Sequence, residues 1–116
     1  MEQSNVVYFT PGTEDFSGGS EQFMPVTVAA GTYKRGEVLG RLENTYGKLS
    51  VANAKPAAIM PFDIVIDADK TVTVYVSGEF NEDKLIIGDQ NLENVKTALR
   101  DVGIFARKWG AAPNVA

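Results

Sequence analysis

The chain has 116 residues, carries a formal net charge of −4 at pH 7 and contains neither cysteine nor histidine. This length is typical of one domain with one hydrophobic core. Without cysteine the chain forms no disulfides, and without histidine it lacks the commonest general base and metal ligand. An acidic chain with no basic run is a poor nucleic-acid binder, and no apolar run approaches the ~20 residues of a membrane span. We expect a soluble protein with no cofactor and no metal.

The N-terminal part of the chain differs in composition from the rest. Five strong β formers follow one another near its start: Val6, Val7, Tyr8, Phe9 and Thr10. Residues 11–22 have no periodicity and are rich in glycine, serine and acidic residues, which is typical of a flexible linker. We therefore expect a flexible N-terminal arm over residues 1–23, a β-rich domain over residues 24–110 and a frayed tail over residues 111–116.

The apolar run in the arm allows two interpretations. Such a run could add a strand to the open sheet edge of a partner, with main-chain hydrogen bonds giving affinity and alternate side chains giving selectivity. A linker of 12 residues has an r.m.s. reach of roughly 20 Å, enough to reach a neighbouring protein. Alternatively, the run folds back as an extra strand of its own domain. Composition is consistent with both.

From residue 26 onward the pattern predicts short strands separated by turns. Residues 26–30 alternate between apolar and polar side chains, as in a half-buried strand. Residues 57–66 form a long apolar stretch, and Pro61 within it predicts an edge or a bulge because proline cannot donate a ladder hydrogen bond. Residues 71–76 are the clearest strand of the chain, and we expect it to end at Ser77 and Gly78.

One amphipathic helix is predicted near the C-terminus. Apolar residues recur there at spacings of three and four: Leu92, Val95, Leu99 and Val102. Asn91 is the expected N-cap and Gly103 the expected C′ residue. A last strand follows over residues 104–109. The sequence as a whole predicts a mainly β single domain with one short α-helix.

The densest acidic cluster comprises Asp63, Asp67 and Asp69. Carboxylates are the ligands that calcium and magnesium prefer, but the spacing matches no EF-hand loop. We favour a charged hairpin turn between two strands. A second set of carboxylates, Glu79, Glu82 and Asp83, could in principle act as a glycosidase pair. A solvated loop is the favoured interpretation for this set.

Two glycines four residues apart, Gly36 and Gly40, lie in a basic segment that superficially suggests a phosphate loop. A Walker loop requires a lysine followed by serine or threonine at the start of a helix, and neither follows here. Residues with high β propensity flank the segment on both sides. We therefore interpret the glycines as positions where a strand bends sharply.

Three segments, in this order and spacing, resemble the lambda-type bacteriophage head decoration proteins. Residues 30–40 are similar to the early glycine-punctuated segment of that family. Residues 72–80 form a strand followed by Ser-Gly-x-Phe, and the acidic loop, the helix and the strand at residues 104–109 form the third segment. The similarity covers about three-quarters of the chain, from residue 26 to residue 109.

The resemblance implies a β-clip-like subunit, made in the bacterial host cytoplasm, that binds the outer surface of the mature capsid. It implies a homotrimer at three-fold and quasi-three-fold sites that contacts the major capsid protein and stabilises the shell against genome pressure, without catalysis. The family's arms are mobile in the free protein and become ordered on the capsid, which favours docking for residues 6–10. Those arms share no strong pattern, so the choice of residues 6–10 rests on their chemistry. Two alternatives stay open: a trimeric β-clip nucleotide hydrolase using Asp63, Asp67 or Asp69, and a tail or fibre adaptor of the virion.

Overall fold

A computed structural model describes Phe16, Gly18 and residues 20–108 of the chain. Within this part the chain forms strands β1 (Gln22–Val28), β2 (Gly31–Tyr33), β3 (Val38–Leu42), β4 (Thr45–Lys48), β5 (Lys55–Ile59), β6 (Ile64–Ile66), β7 (Lys70–Asn81) and β8 (Ile104–Arg107). A 3₁₀ turn, Glu82–Lys84, follows β7, and helix α1 spans Leu92–Asp101. The prediction of a mainly β single domain with one short helix is confirmed.

Six of the strands form one sheet that closes on itself. Their order is β1-β4-β3-β5-β7-β8, and β1 also pairs with β7. Among the described residues, β1 pairs with β7 along its whole length and with β4 at Thr27 and Val28, which closes β1, β4, β3, β5 and β7 into a ring, whereas β8 pairs with β7 alone. Strands β2 and β6 form a separate antiparallel pair. Pro61 lies in the connection between β5 and β6, outside both strands, and not at the strand edge or bulge that we expected.

Strand β7 is longer than the sequence predicts. It has 12 residues, and the expected end at Ser77 and Gly78 is wrong. Gly78 adopts a φ of 129°, and a Cβ at this position would lie 2.9 Å from the Cα of Glu21. The glycine therefore lets the strand bend beside Glu21 instead of ending. Beyond the bend, β7 pairs in parallel with β8.

The buried side chains form two clusters. The first joins β1, β2, β3, β5, β6 and β7 and contains Val26, Val28, Tyr33, Leu39, Ala58, Met60, Ile66, Val72 and Val74. The second joins the sheet to α1 and β8 and contains Phe16, Val38, Ile59, Phe80, Val95, Leu99 and Ile104. Strand β7 supplies both clusters: Val72 and Val74 pack into the first, and Phe80, beyond the bend at Gly78, packs into the second.

Helix α1 agrees with the sequence pattern. The Asn91 side chain accepts a hydrogen bond from the backbone N–H of Asn94 at 3.0 Å, as an N-cap does. Gly103 has a φ of 91°, as expected for a C′ residue. Both predicted helix ends are confirmed, and Val95 and Leu99 are buried against the sheet. No helix in the described part of the chain is long and apolar enough to cross a bilayer.

Part of the chain before Met24 that we assigned to the arm is held to the domain. Phe16 is only 1% exposed, and β1 begins at Gln22. Burial of one phenylalanine side chain contributes roughly 1.5–3 kcal/mol, which outweighs the linker-like composition around it. The rest of the predicted arm, Trp109 and the predicted tail lie outside the described residues.

Candidate functional site: the root of the N-terminal arm

The predicted docking residues, Val6, Val7, Tyr8, Phe9 and Thr10, lie outside the described residues. The structure describes the place where the chain that carries them joins the domain. We call this place the arm root and define it as Phe16 and Gly18 together with the residues that hold them: Arg35, Tyr75, Glu79, Phe80 and Asn81.

Aromatic rings hold Phe16 in the arm root. The ring centroid of Phe16 lies 5.4 Å from that of Phe80 and 5.9 Å from that of Tyr75. Tyr75 and Phe80 also contact each other, at 5.0 Å. Tilted and edge-to-face pairs at these distances stabilise by about 0.5–1.5 kcal/mol each beyond the burial of their area. The rings of Tyr75 and Phe80 therefore hold Phe16 against β7.

A guanidinium group also covers the ring of Phe16. The Cζ atom of Arg35 lies 4.2 Å from the Phe16 ring centroid, within cation–π distance. The backbone N–H of Arg35 donates to Oδ1 of Asp63 at 2.8 Å, which orients the segment that carries the arginine. Phe16 thus lies between a ring cluster and a cation.

Backbone hydrogen bonds continue the same attachment. The N–H of Asn81 donates to the carbonyl of Phe16 at 2.8 Å, and the N–H of Gly18 donates to the carbonyl of Glu79 at 2.9 Å. Further along, Gln22 pairs with Ser77 in the antiparallel ladder of β1 and β7. Phe16 and Gly18 therefore extend the edge pairing of β1 to the end of β7.

The two glycines of the basic segment allow close packing of the backbone, although only Gly40 lies within a strand as we expected. Gly36 has a φ of 91°, and a Cβ there would lie 2.4 Å from the carbonyl oxygen of Lys84 and 3.3 Å from the ring of Phe16. Gly40 lies at a register shift between β3 and β5, where a Cβ would lie 2.7 Å from that of Ala54. Gly36 thereby lets the backbone pass close to the arm root.

The acidic residues after Gly78 are paired with cations. Glu79 contacts Arg107 at 3.0 Å, Glu82 contacts Lys96 at 2.7 Å, and Asp83 contacts Lys108 at 3.5 Å. These bridges connect β7 and the 3₁₀ turn to α1 and to the end of β8. The hydrogen bond to Glu82 raises the pKa of Lys96 above its usual value. The three carboxylates therefore link β7 and the 3₁₀ turn to α1 and β8 beside the arm root.

In the other acidic cluster, the carboxylates of Asp63 and Asp69 accept hydrogen bonds from different parts of the chain. Asp63 accepts the hydrogen bond from Arg35, and Oδ1 of Asp69 accepts one from the backbone N–H of Ala30 at 3.3 Å. Within the described residues, no three acidic side chains form a group that could hold a metal ion. Asp67 and Asp69 lie between β6 and β7, whereas Asp63 precedes β6, and the expected hairpin is wrong because β6 pairs with β2 while β7 pairs with β1, β5 and β8.

Two open clefts lie on the surface away from the Phe16 ring. A cleft of about 340 Å³ is lined by Lys48, whose ammonium binds Glu37 at 2.8 Å and also the carbonyl of Thr32. A cleft of about 310 Å³ has walls of small residues, among them Ala29, Gly40, Gly47 and Ala54. The first is therefore occupied by an internal ion pair, and the second is mainly a gap between small side chains.

No family model matches this chain, and no curated protein matches it. The functional argument therefore depends on the residues themselves. Sequence reasoning placed the docking run in the arm but missed Phe16 and Arg35, which hold the arm to the domain. The available signal was a lone aromatic residue inside a stretch otherwise rich in glycine, serine and acids.

Proposed function

We propose that this is a non-enzymatic head decoration protein of a bacteriophage. It binds the outer surface of the mature capsid as a homotrimer at three-fold and quasi-three-fold sites and stabilises the shell against genome pressure. The observation that carries the proposal is the ordered resemblance of residues 26–109 to the lambda-type decoration proteins.

The position of the three resembling segments supports this proposal. The first contributes Arg35 and Gly36 to the surroundings of Phe16, and the second contributes Tyr75 and Phe80. The third contributes α1 and β8, whose buried residues belong to the same core cluster as Phe16. The parts of the chain that resemble the family therefore meet where the arm is attached.

The mechanism requires no chemical step. The apolar run of the arm adds a strand to an open sheet edge of the major capsid protein, and main-chain hydrogen bonds supply most of the affinity. One arm binds weakly because it must be ordered on docking. Three arms on one trimer bind far more strongly, because the first contact raises the effective concentration of the other two.

The structure of the domain, called the body below, suits a protein that links neighbouring capsid subunits. Pairing of β1 with both β4 and β7 closes five strands into a ring, which limits the backbone that these strands present for unwanted pairing. Two buried clusters and the ion pairs between β7, α1 and β8 make the body rigid. A force that acts on one arm is therefore transmitted through the rigid domain to the other arms of the trimer.

Co-sedimentation with expanded capsids, assembled from the major capsid protein encoded in the same genome, tests the proposal. The first variant lacks residues 1–15, which leaves Phe16 and β1 in place. The second keeps the full length and replaces Val6, Val7, Tyr8 and Phe9 by serine. A matched control carries Thr13→Ser and Glu14→Gln in the same arm.

Both arm variants should stay folded and trimeric in sedimentation, at three times the 12.5 kDa subunit mass for the full-length variant and correspondingly less for the truncated one, and should lose capsid binding. The control should bind as the unmodified protein does. Full binding by the variant without residues 1–15 contradicts the docking arm. Electron microscopy that places the protein on the tail, with none at the three-fold positions of the head, contradicts capsid decoration itself.

A further inference from the structure

We propose that Phe16 is a positioning residue that sets the free length and the origin of the N-terminal arm. This inference rests on the proposed function, because it concerns how the arm meets the capsid. It also restricts where the partner can bind. The strand of the capsid protein that pairs with the arm must lie near Asn81, at the end of β7.

Phe16 is suited to this role because it is fixed in several ways at once. Its side chain is 1% exposed and lies between the rings of Tyr75 and Phe80 and the guanidinium of Arg35. Its carbonyl accepts the N–H of Asn81. Among the described residues, Phe16 is therefore the first point along the chain that is held to the body.

The attachment resists force along the chain. From Phe16 through β1 the chain runs antiparallel to β7, with hydrogen bonds at Asn81 and Gly18 followed by the ladder that begins at Gln22 and Ser77. Antiparallel ladder bonds lie perpendicular to the strands. A pull on the arm in line with β7 therefore loads several of these bonds together.

The position of the attachment sets the reach of the arm. Five residues separate Thr10 from Phe16, whereas eleven separate Thr10 from Gln22. At most ~3.4 Å per residue, the docking run begins within about 20 Å of Phe16. The receiving strand of the capsid protein must lie inside this radius.

The length of the tether also determines how tightly the three arms of one trimer bind the capsid together. Effective concentration falls roughly as the −3/2 power of linker length, so a tether that began at Gln22 would lower it about threefold for each arm. After the first arm of a trimer has docked, two arms remain. Loss of the attachment at Phe16 should therefore speed dissociation of the trimer about tenfold.

An insertion variant changes the length of the tether while the fold of the domain stays the same. Six glycine and serine residues are inserted between Asp15 and Phe16, which makes the tether as long as one that starts at Gln22 while Phe16 stays buried. The control carries the same six residues after Ala116. The insertion variant should keep its melting temperature and trimeric mass but dissociate from capsids about tenfold faster, whereas the control should dissociate at the original rate.

Substitution of Phe16 gives a second test. Phe16→Ala should dissociate about as fast as the insertion variant, and amide hydrogen exchange of Asn81 should become faster in the free protein because its acceptor is released. Phe16→Leu fills most of the same space and should restore slow dissociation. Recovery by leucine distinguishes anchoring by burial from a specific contact of the ring with the capsid.

The outcomes distinguish this inference from the proposed function. If the variant lacking residues 1–15 binds fully, the proposed function and the inference are both overturned. If that variant loses binding but the insertion variant dissociates at the original rate, the role of Phe16 alone is overturned. If both lose affinity as stated, the position of the attachment determines how tightly the trimer binds.

Discussion

The backbone N–H of Asn81, the last residue of the longest strand, donates to the carbonyl of Phe16 at 2.8 Å. This bond joins a residue that lies in a linker-like stretch of sequence to the end of the central strand. It also places Phe16 beside the 3₁₀ turn, where Glu82 and Asp83 pair with Lys96 and Lys108. The first described residue of the chain is therefore held at a point where several elements are linked.

Replacement of Phe16 by alanine should lower the free energy of unfolding by about 3–5 kcal/mol, because the side chain is buried and its removal leaves a cavity. Phe16→Leu should cost less, since most of the volume is kept. Urea denaturation of the free protein measures both. The matched control is Phe62→Ala, whose ring is 44% exposed and which should cost less than about 1 kcal/mol. Equal costs at Phe16 and Phe62 would contradict the anchored position of Phe16.

The regular elements of the fold could be predicted because they depend on local patterns. The spacing of apolar residues in α1, its cap at Asn91 and the β-branched run of β7 are set by residues close together in sequence. Phe16 could not be assigned, because its burial depends on Arg35, Tyr75 and Phe80, which are distant in sequence. The composition of residues 11–22 is an average over the whole segment, so it does not reveal that one residue within it, Phe16, is buried.

The end of β7 was mispredicted for a related reason. Glycine after a strand usually marks a turn, and Gly78 does have a positive φ of 129°. The strand nevertheless continues, because β8 pairs with the residues beyond Gly78 and the chain at Gly18 pairs with Glu79. Pairing partners from elsewhere in the chain decide whether a glycine ends a strand or bends it. The docking run of residues 6–10 stays a prediction.

Gly36→Ala should be strongly destabilising. Its φ of 91° disfavours a side chain, and the new Cβ would lie 2.4 Å from the carbonyl oxygen of Lys84. Because the obstacle is backbone, we expect a loss of about 2–4 kcal/mol in the free energy of unfolding. Gly88→Ala is the matched control, since Gly88 also has a positive φ, of 64°, but a Cβ on this residue would meet no atom within 4 Å.

Gly88→Ala should therefore cost only the backbone term, about 1 kcal/mol. Thermal and urea unfolding of the two variants, measured side by side, separate close approach from backbone conformation. Similar losses in both variants would show that the contact between Gly36 and Lys84 contributes nothing beyond φ. The capsid affinity of Gly88→Ala should be unchanged.

Asn91→Ala should remove the N-cap of α1 and lower the free energy of unfolding by about 1 kcal/mol. The Asn91 side chain accepts the N–H of Asn94 at 3.0 Å, and alanine leaves that donor without its side-chain acceptor. Asn91→Asp should keep most of the stability because aspartate accepts the same bond. Asn94→Ala, which leaves both capping groups in place, is the control. A loss of equal size in Asn91→Asp would contradict the capping role.

Stability should fall at alkaline pH because two groups have raised pKa values. A hydrogen bond from Lys96 to Glu82 raises the pKa of Lys96 above 10.5, and the charges of Glu82 and Glu93 add to it. Burial raises the pKa of Tyr33 above 10.0, with smaller effects from the charges of Glu37 and Asp69. In both cases the folded protein keeps its proton to a higher pH than the unfolded chain does.

The sign of the effect follows from proton binding. Well below pH 10 the folded and unfolded states carry the same protons at Lys96 and Tyr33, so the stabilisation from these groups is fully present and does not vary with pH. As the pH rises through the unfolded values, the unfolded state binds fewer protons, and the free energy of unfolding decreases until the folded pKa values are passed. Melting temperatures between pH 8 and pH 11.5 measure this decrease. Lys96→Met and Tyr33→Phe should each show a shallower decline than the unmodified protein, whatever their stability at neutral pH, and parallel curves for all three would contradict the assignment of the decline to these groups.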